Sequence, residues 1–292
     1  DLPVGCIDQF DTFIFDCDGV IWRGSTLIDG SLELIQKLFE KKKNVFFVTN
    51  NSTRSRDTYV QKFNSKGFKD VTKENILCSS YAAARYLALQ NFKGKVYVIG
   101  EHGIYEELEE HGIEYIGNER QHLTLGTEPP PRGQQGPVFV ELQPESGVKA
   151  VVVGFDRYFN YLKLSYAFRY ITSDPECLFV ATNTDKTFPM EGGFMPGSGG
   201  IIRSIEESVG REAIVTGKPS PILMEVIKSK VDNFDASRTL MVGDRLDTDI
   251  LFGNTAGAKT LLVLTGVNTA EQAATGPIKP TFIAESVAQL LQ

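Results

Sequence analysis

Cysteine is scarce in this 292-residue sequence, which contains four of them, together with three histidines and one tryptophan. Cys6, Cys17, Cys78 and Cys177 have no repeated short spacing, which excludes a disulfide framework and a cysteine zinc site. We therefore expect all four thiols to be reduced. The histidines show no metal-ligand spacing either, so packing or surface roles are expected for them.

A long apolar run and an excess of basic residues are also absent. No stretch approaches the length of a membrane span, and no basic segment followed by an apolar one opens the chain, so neither a membrane partner nor a signal peptide is expected. The net charge of −7 argues against nucleic acid or an anionic membrane surface as a partner. The chain begins with Asp1 and not with Met, and we expect an upstream segment to be missing.

What remains is an ordinary globular composition, with 41% hydrophobic and 23% charged residues, over a length that suffices for two domains. Short apolar runs that predict strands alternate with segments of helical periodicity. Predicted strands cover residues 13–16, 44–49, 95–100, 148–153, 178–181, 240–243 and 260–264, and predicted helices cover residues 31–41, 56–66, 79–90, 103–111 and 161–171. This alternation predicts an α/β fold with a doubly wound, mostly parallel, Rossmann-like sheet.

Two aspartates stand at the end of the first predicted strand. Side chains alternate along a strand, so Asp16 and Asp18 face the same space while Cys17 points away from it. Two like charges held this close are costly unless a cation or a shared proton offsets them. The pair therefore predicts a bound metal or a proton exchanged between roles. Phosphoryl transfer needs both, because Mg2+ prefers carboxylate and phosphate oxygens and a departing alkoxide needs an acid.

Further polar residues stand at the ends of other predicted elements. Thr49 ends the second strand, and Lys218 precedes Pro219, which is suited to a first helical turn. Asp244 ends a late strand, and Asp249 falls in the helical turn that follows. Each residue alone is better explained by a cap, a salt bridge or a solvated end, because surface charge is common. Their joint occurrence in order favours a site, because ligands of doubly wound sheets bind at the carboxyl ends of the strands.

Four motifs in the chain resemble those of the haloacid dehalogenase superfamily of phosphatases. They are residues 16–19 (DCDG), 49–52 (TNNS), 218–219 (KP) and 243–249 (GDRLDTD). The region between the second and third motifs is similar to the larger α/β cap (C2 type) of that superfamily, and residues 128–133 within it form a loop by composition. The resemblance implies a core of residues 1–94 and 199–292 with an inserted α/β cap domain of residues 95–198.

Within the superfamily the chain is most similar to the phosphoglycolate phosphatases of photosynthetic organisms, and it is related to the pyridoxal phosphatases and 4-nitrophenylphosphatases. The resemblance implies a small phosphorylated substrate, most simply 2-phosphoglycolate. Pyridoxal phosphatases carry a histidine in the cap loop where this sequence has Phe188, which makes a pyridoxal substrate a weaker alternative. Broad activity on small phosphoesters is another alternative.

The resemblance also implies a chloroplast location, with the cytosol as the alternative, and a homodimer formed through the cap.

The resemblance, together with the chemistry of the residues, implies a mechanism. Asp16 is expected to attack phosphorus and form an aspartyl-phosphate, while Asp18 first donates a proton to the leaving oxygen and then takes one from water. The implied Mg2+ ligands are the carboxylates of Asp16 and Asp244 and the backbone carbonyl of Asp18.

The remaining motif residues are expected to bind the transferring phosphoryl group. Thr49 and the backbone of Asn50 and Asn51 would hydrogen-bond its oxygens, and Lys218 would balance their charge. Asp249 would orient Lys218 or a metal-bound water.

Asn183, Asp185 and Phe188 follow a predicted cap strand and are our candidates for selection of the leaving group. An equally good interpretation makes Asn183 and Asp185 ordinary turn residues.

Three other functions use part of this residue set. A receiver-type signalling domain also has an acidic pair, a phosphorylated aspartate, a threonine and a lysine, but it is far shorter and would keep its acyl phosphate longer. A dehalogenase would attack carbon without Mg2+, so sensitivity to EDTA distinguishes it. A non-catalytic scaffold is disfavoured because every residue that the chemistry requires is present.

Overall fold

A computed structural model of the chain describes residue 2 and residues 5–117, 142–190 and 193–292. The predicted loop at residues 128–133 lies outside the described residues. Within them, no helix is both long enough and apolar enough to cross a membrane.

Fifteen strands are present in the described residues. In chain order they are β1 (Thr12–Phe15), β2 (Trp22–Arg23), β3 (Thr26–Leu27), β4 (Asn44–Thr49), β5 (Ile76–Cys78), β6 (Lys95–Ile99), β7 (Tyr115–Ile116), β8 (Val148–Val153), β9 (Leu178–Ala181), β10 (Thr187–Met190), β11 (Gly193–Pro196), β12 (Ile214–Val215), β13 (Thr239–Gly243), β14 (Lys259–Val263) and β15 (Phe282–Ala284).

The α-helices of the same residues alternate with these strands. They are α1 (Cys6–Gln9), α2 (Ser31–Glu40), α3 (Arg56–Ser65), α4 (Ser79–Leu89), α5 (His102–Glu110), α6 (Tyr161–Ser173), α7 (Ser198–Val209), α8 (Ile222–Lys230), α9 (Leu251–Thr255) and α10 (Ala270–Thr275). Short 3-10 turns cover Lys73–Asn75, Ala236–Arg238 and Val287–Leu291, and Leu246–Ile250 is a π-helical turn. Helices α2 to α6 agree with the predicted bounds to within two residues.

The larger sheet has six parallel strands in the order β15-β14-β13-β1-β4-β5. In its register Phe15 lies beside Val242 on one side and Phe47 on the other. The residues that follow these three strands, including Asp16 and Asp244, therefore emerge at one edge of the sheet. The predicted α/β fold with a mostly parallel sheet is confirmed.

The strands of this sheet are mostly apolar and buried, as is typical of parallel sheets with helices on both faces. Phe13, Phe15 and Cys17 are fully buried in the core, whereas the Asp16 carboxylate is directed to the sheet edge. The predicted alternation of the first motif is thus what the structure shows. All four cysteines are free and buried, as expected for reduced thiols.

A second sheet of five parallel strands has the order β12-β9-β8-β6-β7. The antiparallel hairpin of β10 and β11 connects its strand β9 to helix α7. Strand β12, which the sequence analysis assigned to the core, pairs with β9 in this second sheet. The domain boundaries remain a prediction. Because β12 pairs with β9, we propose that the cap ends at Val215 and not at residue 198.

One helix start differs from the expectation. Pro219 was expected in a first helical turn, but helix α8 begins only at Ile222, after Pro221. The Lys218–Pro219 peptide is cis and lies in the turn before the helix. Sequence periodicity could not distinguish the two prolines, because either is compatible with the start of a helix.

Candidate active site

A cavity of about 580 Å3 opens at the carboxyl edge of the larger sheet and is also lined by residues of the second sheet's loops. Every residue that the sequence analysis singled out as a site candidate lines it. These residues are Asp16, Asp18, Thr49, Asn50, Asn51, Asn183, Asp185, Phe188, Lys218, Asp244 and Asp249. The structure thus brings together side chains that are up to 233 positions apart in the chain, from Asp16 to Asp249.

Lys218 lies at the centre of the acidic residues. Its Nζ donates to Asp16 Oδ1 at 2.6 Å, to Asp249 Oδ1 at 2.7 Å and to the backbone carbonyl of Val48 at 2.6 Å. Its side chain is 1% exposed, so water cannot replace these partners. All three hydrogens of the ammonium group are therefore used, and its position is fixed.

Asp244 has one carboxylate oxygen free. Its Oδ2 accepts the backbone N–H of Val267 at 2.8 Å, whereas the buried Oδ1 has no hydrogen-bond partner among the described residues. Two glycines approach it so closely that a Cβ would collide with Oδ2, at 2.7 Å from Gly19 and 1.8 Å from Gly266. Gly19 also has φ of +92°, which other residues rarely adopt. A buried oxygen without a partner is costly unless a ligand satisfies it.

The donor set around this oxygen fits a hard divalent cation. Oxygens of Asp16, Asp244 and Asp249 lie within 4.8 Å of one another. Asp249 is already occupied, because Oδ1 accepts from Lys218 and Oδ2 accepts the backbone N–H groups of Asp244 and Arg245, each at 3.1 Å. The arrangement therefore favours Asp16 and Asp244 as ligands and Asp249 as the residue that orients Lys218.

Burial has a large effect on these charges. It raises the pKa of Asp16 to about 7, although Lys218 opposes the shift, and it raises the pKa of Asp244 well above its usual range. Burial lowers the pKa of Lys218, but Asp16 and Asp249 outweigh this effect and the net shift is upward. One buried cation thus faces three buried carboxyl groups, and a divalent ion would offset the remaining negative charge.

The loop after β4 is tied to the lysine turn. The Asn50 side chain accepts the backbone N–H of Lys218 at 2.8 Å and donates to its carbonyl at 3.0 Å. Thr49 Oγ1 accepts the backbone N–H of Asn51 at 3.2 Å. The Asn50 side chain therefore positions the lysine, and the other groups of this loop face the cavity.

The three candidates for leaving-group selection reach the same cavity. Asn183 Nδ2 donates to Asp185 Oδ2 at 2.9 Å, and Asn50 Nδ2 lies 3.4 Å from Asp185 Oδ1, so the contact between Asn50 and Asp185 connects the loop after β4 to the segment after β9. Burial raises the pKa of Asp185. Phe188 packs edge-on against Phe155, with ring centroids 5.3 Å apart, and both rings line the cavity.

Sequence reasoning missed several cavity residues. Lys62, Arg54 and Arg245 line the cavity, and the Trp22 indole donates to Asp18 Oδ1 at 2.9 Å from outside it. Lys62 lies on helix α3 and Arg54 in a loop, where their charges look like ordinary surface charges in the sequence, whereas Arg245 lies within the motif of residues 243–249 and was given no role. Trp22 had one usable signal, since it is the single tryptophan and follows Asp18 by four residues.

Comparison with known families gives two matches at the two ends of the chain. Residues 13–114 match the model of a haloacid dehalogenase-like hydrolase, and residues 215–290 match a HAD-hydrolase-like model. Together these segments contain all four motifs.

Two curated relatives cover nearly the whole chain. The chain is 44% identical over 296 residues to phosphoglycolate phosphatase 1A, chloroplastic, of Arabidopsis thaliana. The alignment covers 98% of this chain and 77% of that protein. The chain is 42% identical over 294 residues to 4-nitrophenylphosphatase of Schizosaccharomyces pombe, which covers 98% of this chain and 95% of that protein.

Two solved structures have the same overall fold. The p-nitrophenyl phosphatase from Archaeoglobus fulgidus aligns with a TM-score of 0.80 and 33% identity, covering 97% of this chain and 98% of that one. A glycerol phosphate phosphatase from Mycobacterium tuberculosis, solved in complex with magnesium, aligns with a TM-score of 0.77 and 30% identity, covering 97% of this chain and 77% of that one.

Proposed function

The chain belongs to the haloacid dehalogenase-like hydrolases and is a phosphatase of that family, and we propose that it is a Mg2+-dependent phosphomonoesterase acting through an aspartyl-phosphate. The observation that carries this proposal is the contact of Lys218 Nζ with both Asp16 and Asp249, beside the unpartnered Oδ1 of Asp244. A nucleophile, a fixed cation and a free metal-binding oxygen are what phosphoryl transfer requires.

In the first half of the reaction a carboxylate oxygen of Asp16 attacks phosphorus. The bond from that oxygen to phosphorus forms as the bond from phosphorus to the leaving oxygen breaks. Asp18, which lines the same cavity, supplies a proton to the leaving oxygen, so that an alcohol departs. Lys218 and the loop that contains Thr49 stabilise the charge on the transferring oxygens.

In the second half Asp18, now ionised, removes a proton from water, and the water oxygen attacks phosphorus. Inorganic phosphate leaves, and the Asp16 carboxylate is regenerated with the proton back on Asp18. The carboxylates of Asp16 and Asp244 and the backbone carbonyl of Asp18 would hold Mg2+. When bound, Mg2+ neutralises phosphate charge and orients the phosphoryl group for in-line attack.

Chelation tests the metal requirement. We expect EDTA to reduce phosphate release to the background rate and added Mg2+ to restore it, because without the ion Lys218 alone faces the three buried carboxyl groups of Asp16, Asp244 and Asp249. The measurement is inorganic phosphate release from 4-nitrophenyl phosphate before chelation, after it and after Mg2+ addition. Full activity in EDTA would contradict the proposal and favour a metal-independent reaction such as dehalogenation. A stable acyl phosphate would instead favour a receiver-type module.

We propose 2-phosphoglycolate as the substrate, on the basis of the named Arabidopsis relative and of the basic residues of the cavity. Among residues 5–117, 142–190 and 193–292, the Arg54 side chain forms no ion pair or hydrogen bond, although it lines the cavity. A free guanidinium is well suited to bind a second anionic group, such as the carboxylate of phosphoglycolate. The Mycobacterium neighbour makes a glycerol phosphate the competing substrate, and pyridoxal phosphate is the weaker alternative.

Substitution of Arg54 tests this choice. Arg54→Gln is expected to lower kcat/KM for 2-phosphoglycolate about 10-fold or more. The kcat/KM for glycerol 3-phosphate should change by about 2-fold or less. Only 2-phosphoglycolate has a carboxylate, and so only this substrate loses a charged hydrogen bond when the guanidinium is removed. Arg157→Gln is the matched control, since Arg157 also lines the cavity but is paired with Glu101. Equal losses on both substrates would contradict recognition of the carboxylate by Arg54. If the parent enzyme prefers glycerol 3-phosphate, the substrate assignment is wrong.

Asn183, Asp185 and Phe188 remain our candidates for the selection of the leaving group, since all three line the cavity from the cap. A chloroplast location is proposed on the name of the Arabidopsis relative, with the cytosol as the alternative. A homodimer through the cap is likewise a proposal, which the molar mass in solution tests.

A further inference from the structure

We propose that Trp22 is a positioning residue for the proton-donating carboxyl group of Asp18, and that Lys62 strengthens the hydrogen bond from Trp22 to Asp18. The inference rests on the proposed function, in which Asp18 gives a proton to the leaving oxygen. It adds two residues, neither of which belongs to the four motifs, to the machinery of the reaction.

The contact between the two side chains is direct. Trp22 Nε1 donates to Asp18 Oδ1 at 2.9 Å, and within the part of the chain that the structure describes no other hydrogen bond to this carboxylate is present. Trp22 is fully buried and does not line the cavity, so it cannot contact the substrate. Any effect of Trp22 on catalysis must therefore act through Asp18 or through packing.

The indole is itself rigidly held. Its ring centroid lies 4.8 Å from that of Phe63, and the backbone carbonyl of Trp22 accepts the N–H of Gly19 at 2.7 Å. Donor and acceptor thus belong to one closed turn that directly follows the nucleophile. Such a donor restricts the side-chain rotation of Asp18 without any movement of the backbone.

Lys62 is a further contact of the indole ring. Its Nζ lies 3.8 Å from the centroid of the Trp22 indole, within the range of a cation–π contact, and its side chain lines the cavity. A cation over the ring draws electron density from the indole and makes its N–H a stronger donor. The positive charge of Lys62 therefore acts through the Trp22 indole on the carboxyl group of Asp18, which transfers the proton.

The hydrogen bond also decides which oxygen of Asp18 carries the proton. An oxygen that accepts an N–H offers its lone pair to that donor, so the exchangeable proton is directed to Oδ2. Oδ2 is then the atom that meets the leaving oxygen. Without the indole N–H, the carboxyl group can rotate and present either oxygen, and the proton is often misplaced.

Substrates with different leaving groups distinguish positioning from packing. An alkoxide leaving group must be protonated as it departs, whereas 4-nitrophenolate is stable enough to leave without an acid. The ratio kcat/KM covers the steps up to departure of the leaving group and excludes the later hydrolysis of the aspartyl-phosphate. For Trp22→Phe we expect kcat/KM to fall about 10- to 100-fold on 2-phosphoglycolate and by about 3-fold or less on 4-nitrophenyl phosphate, because only the alkyl substrate depends on the acid.

Three further variants complete the experiment. The quantity to compare is the substrate ratio, which is kcat/KM for 2-phosphoglycolate divided by kcat/KM for 4-nitrophenyl phosphate. Lys62→Met keeps the apolar stem and should lower this ratio by about 2- to 5-fold, as expected for loss of one cation–π contact. Phe63→Leu loosens the packing of the indole but keeps its N–H and the turn between Gly19 and Trp22, so the preference between the two substrates should change much less than in Trp22→Phe. In the Asp18→Asn background, Trp22→Phe should no longer change the ratio, because the acid that it positions is gone.

Several results would overturn the inference. Equal losses of kcat/KM on both substrates in Trp22→Phe would assign the residue to packing alone. No loss of kcat/KM on either substrate would mean that the hydrogen bond does not contribute to catalysis. A further change of the ratio in the Asp18→Asn background would separate Trp22 from the acid. If the parent hydrolyses neither substrate, or if Asp18→Asn itself leaves the ratio unchanged, it is the proposed function that fails.

Discussion

Asp16→Asn is expected to lower kcat for phosphate release by about 10^4-fold or more, since loss of a nucleophile removes the covalent route altogether. The amide is neutral and nearly isosteric, so its geometry beside Lys218 changes little, while an amide cannot form the acyl phosphate. Steady-state phosphate release from 4-nitrophenyl phosphate with Mg2+ measures the effect.

The fold should survive this change. Burial raises the pKa of Asp16 to about 7, which means that its charged form is disfavoured where it lies. Removing the charge relieves repulsion from Asp249 in the protein without metal. We therefore expect the Tm without Mg2+ to equal or exceed that of the parent enzyme, and circular dichroism to be unchanged.

Asp11→Asn is the matched control for this prediction. Asp11 directly precedes strand β1, at the end opposite to Asp16, and forms an exposed ion pair with Arg238. An exposed pair contributes about 0–1 kcal/mol, so activity should be retained and the Tm should change little. Activity within a few fold of the parent in Asp16→Asn would exclude the aspartyl-phosphate mechanism.

Lys218→Met should lower both activity and stability. We expect kcat to fall about 10^3-fold, a loss comparable to that of removing a key electrostatic group from a buried active site. We also expect the free energy of unfolding to fall by about 3–5 kcal/mol, because the carboxylates of Asp16 and Asp249 lose their buried partner. Denaturant unfolding in EDTA measures the second effect apart from metal binding.

A double variant separates the two effects of Lys218. Lys218→Met with Asp249→Asn should recover a large part of the lost stability, since one unpaired buried charge is removed, but it should recover no activity. Lys228→Met is the control on the neighbouring helix α8, where the lysine forms an exposed pair with Glu225. Equal stability of Lys218→Met and the parent would mean that the carboxyl groups share protons and do not need the cation.

The sequence predicted most of the core because its signals are local. The apolar runs that became β1, β4, β8 and β9 are buried on both faces, so their ends could be placed from composition alone. The strand ends also predicted the site, because parallel strands direct their carboxyl ends to one edge. Residue type and position along the chain were therefore enough to assign Asp16, Lys218 and Asp244 to one site.

Short elements escaped sequence analysis. Strand β12 has only two residues, Ile214–Val215, and no residue pattern could show that it pairs with β9 in the second sheet. The hairpin of β10 and β11 contains glycine and proline, which predict loops. Strand β12 is held by a distant strand, whereas β10 and β11 pair only with each other, and pairing of such short segments leaves no periodic signal of its own.

The sequence by itself determined the α/β class, the four motifs and their order, since each depends on residue type and on neighbours a few positions away. Only the tertiary structure decided which polar groups have partners: the indole of Trp22 bound to Asp18, the occupied oxygens of Asp249 and the free oxygen of Asp244. These contacts depend on side-chain direction, and the contacts of Lys218 with Asp16 and Asp249 also depend on distances between segments far apart in the chain. Which carboxyl group has a partner, and which has none, is therefore a property of the packed molecule.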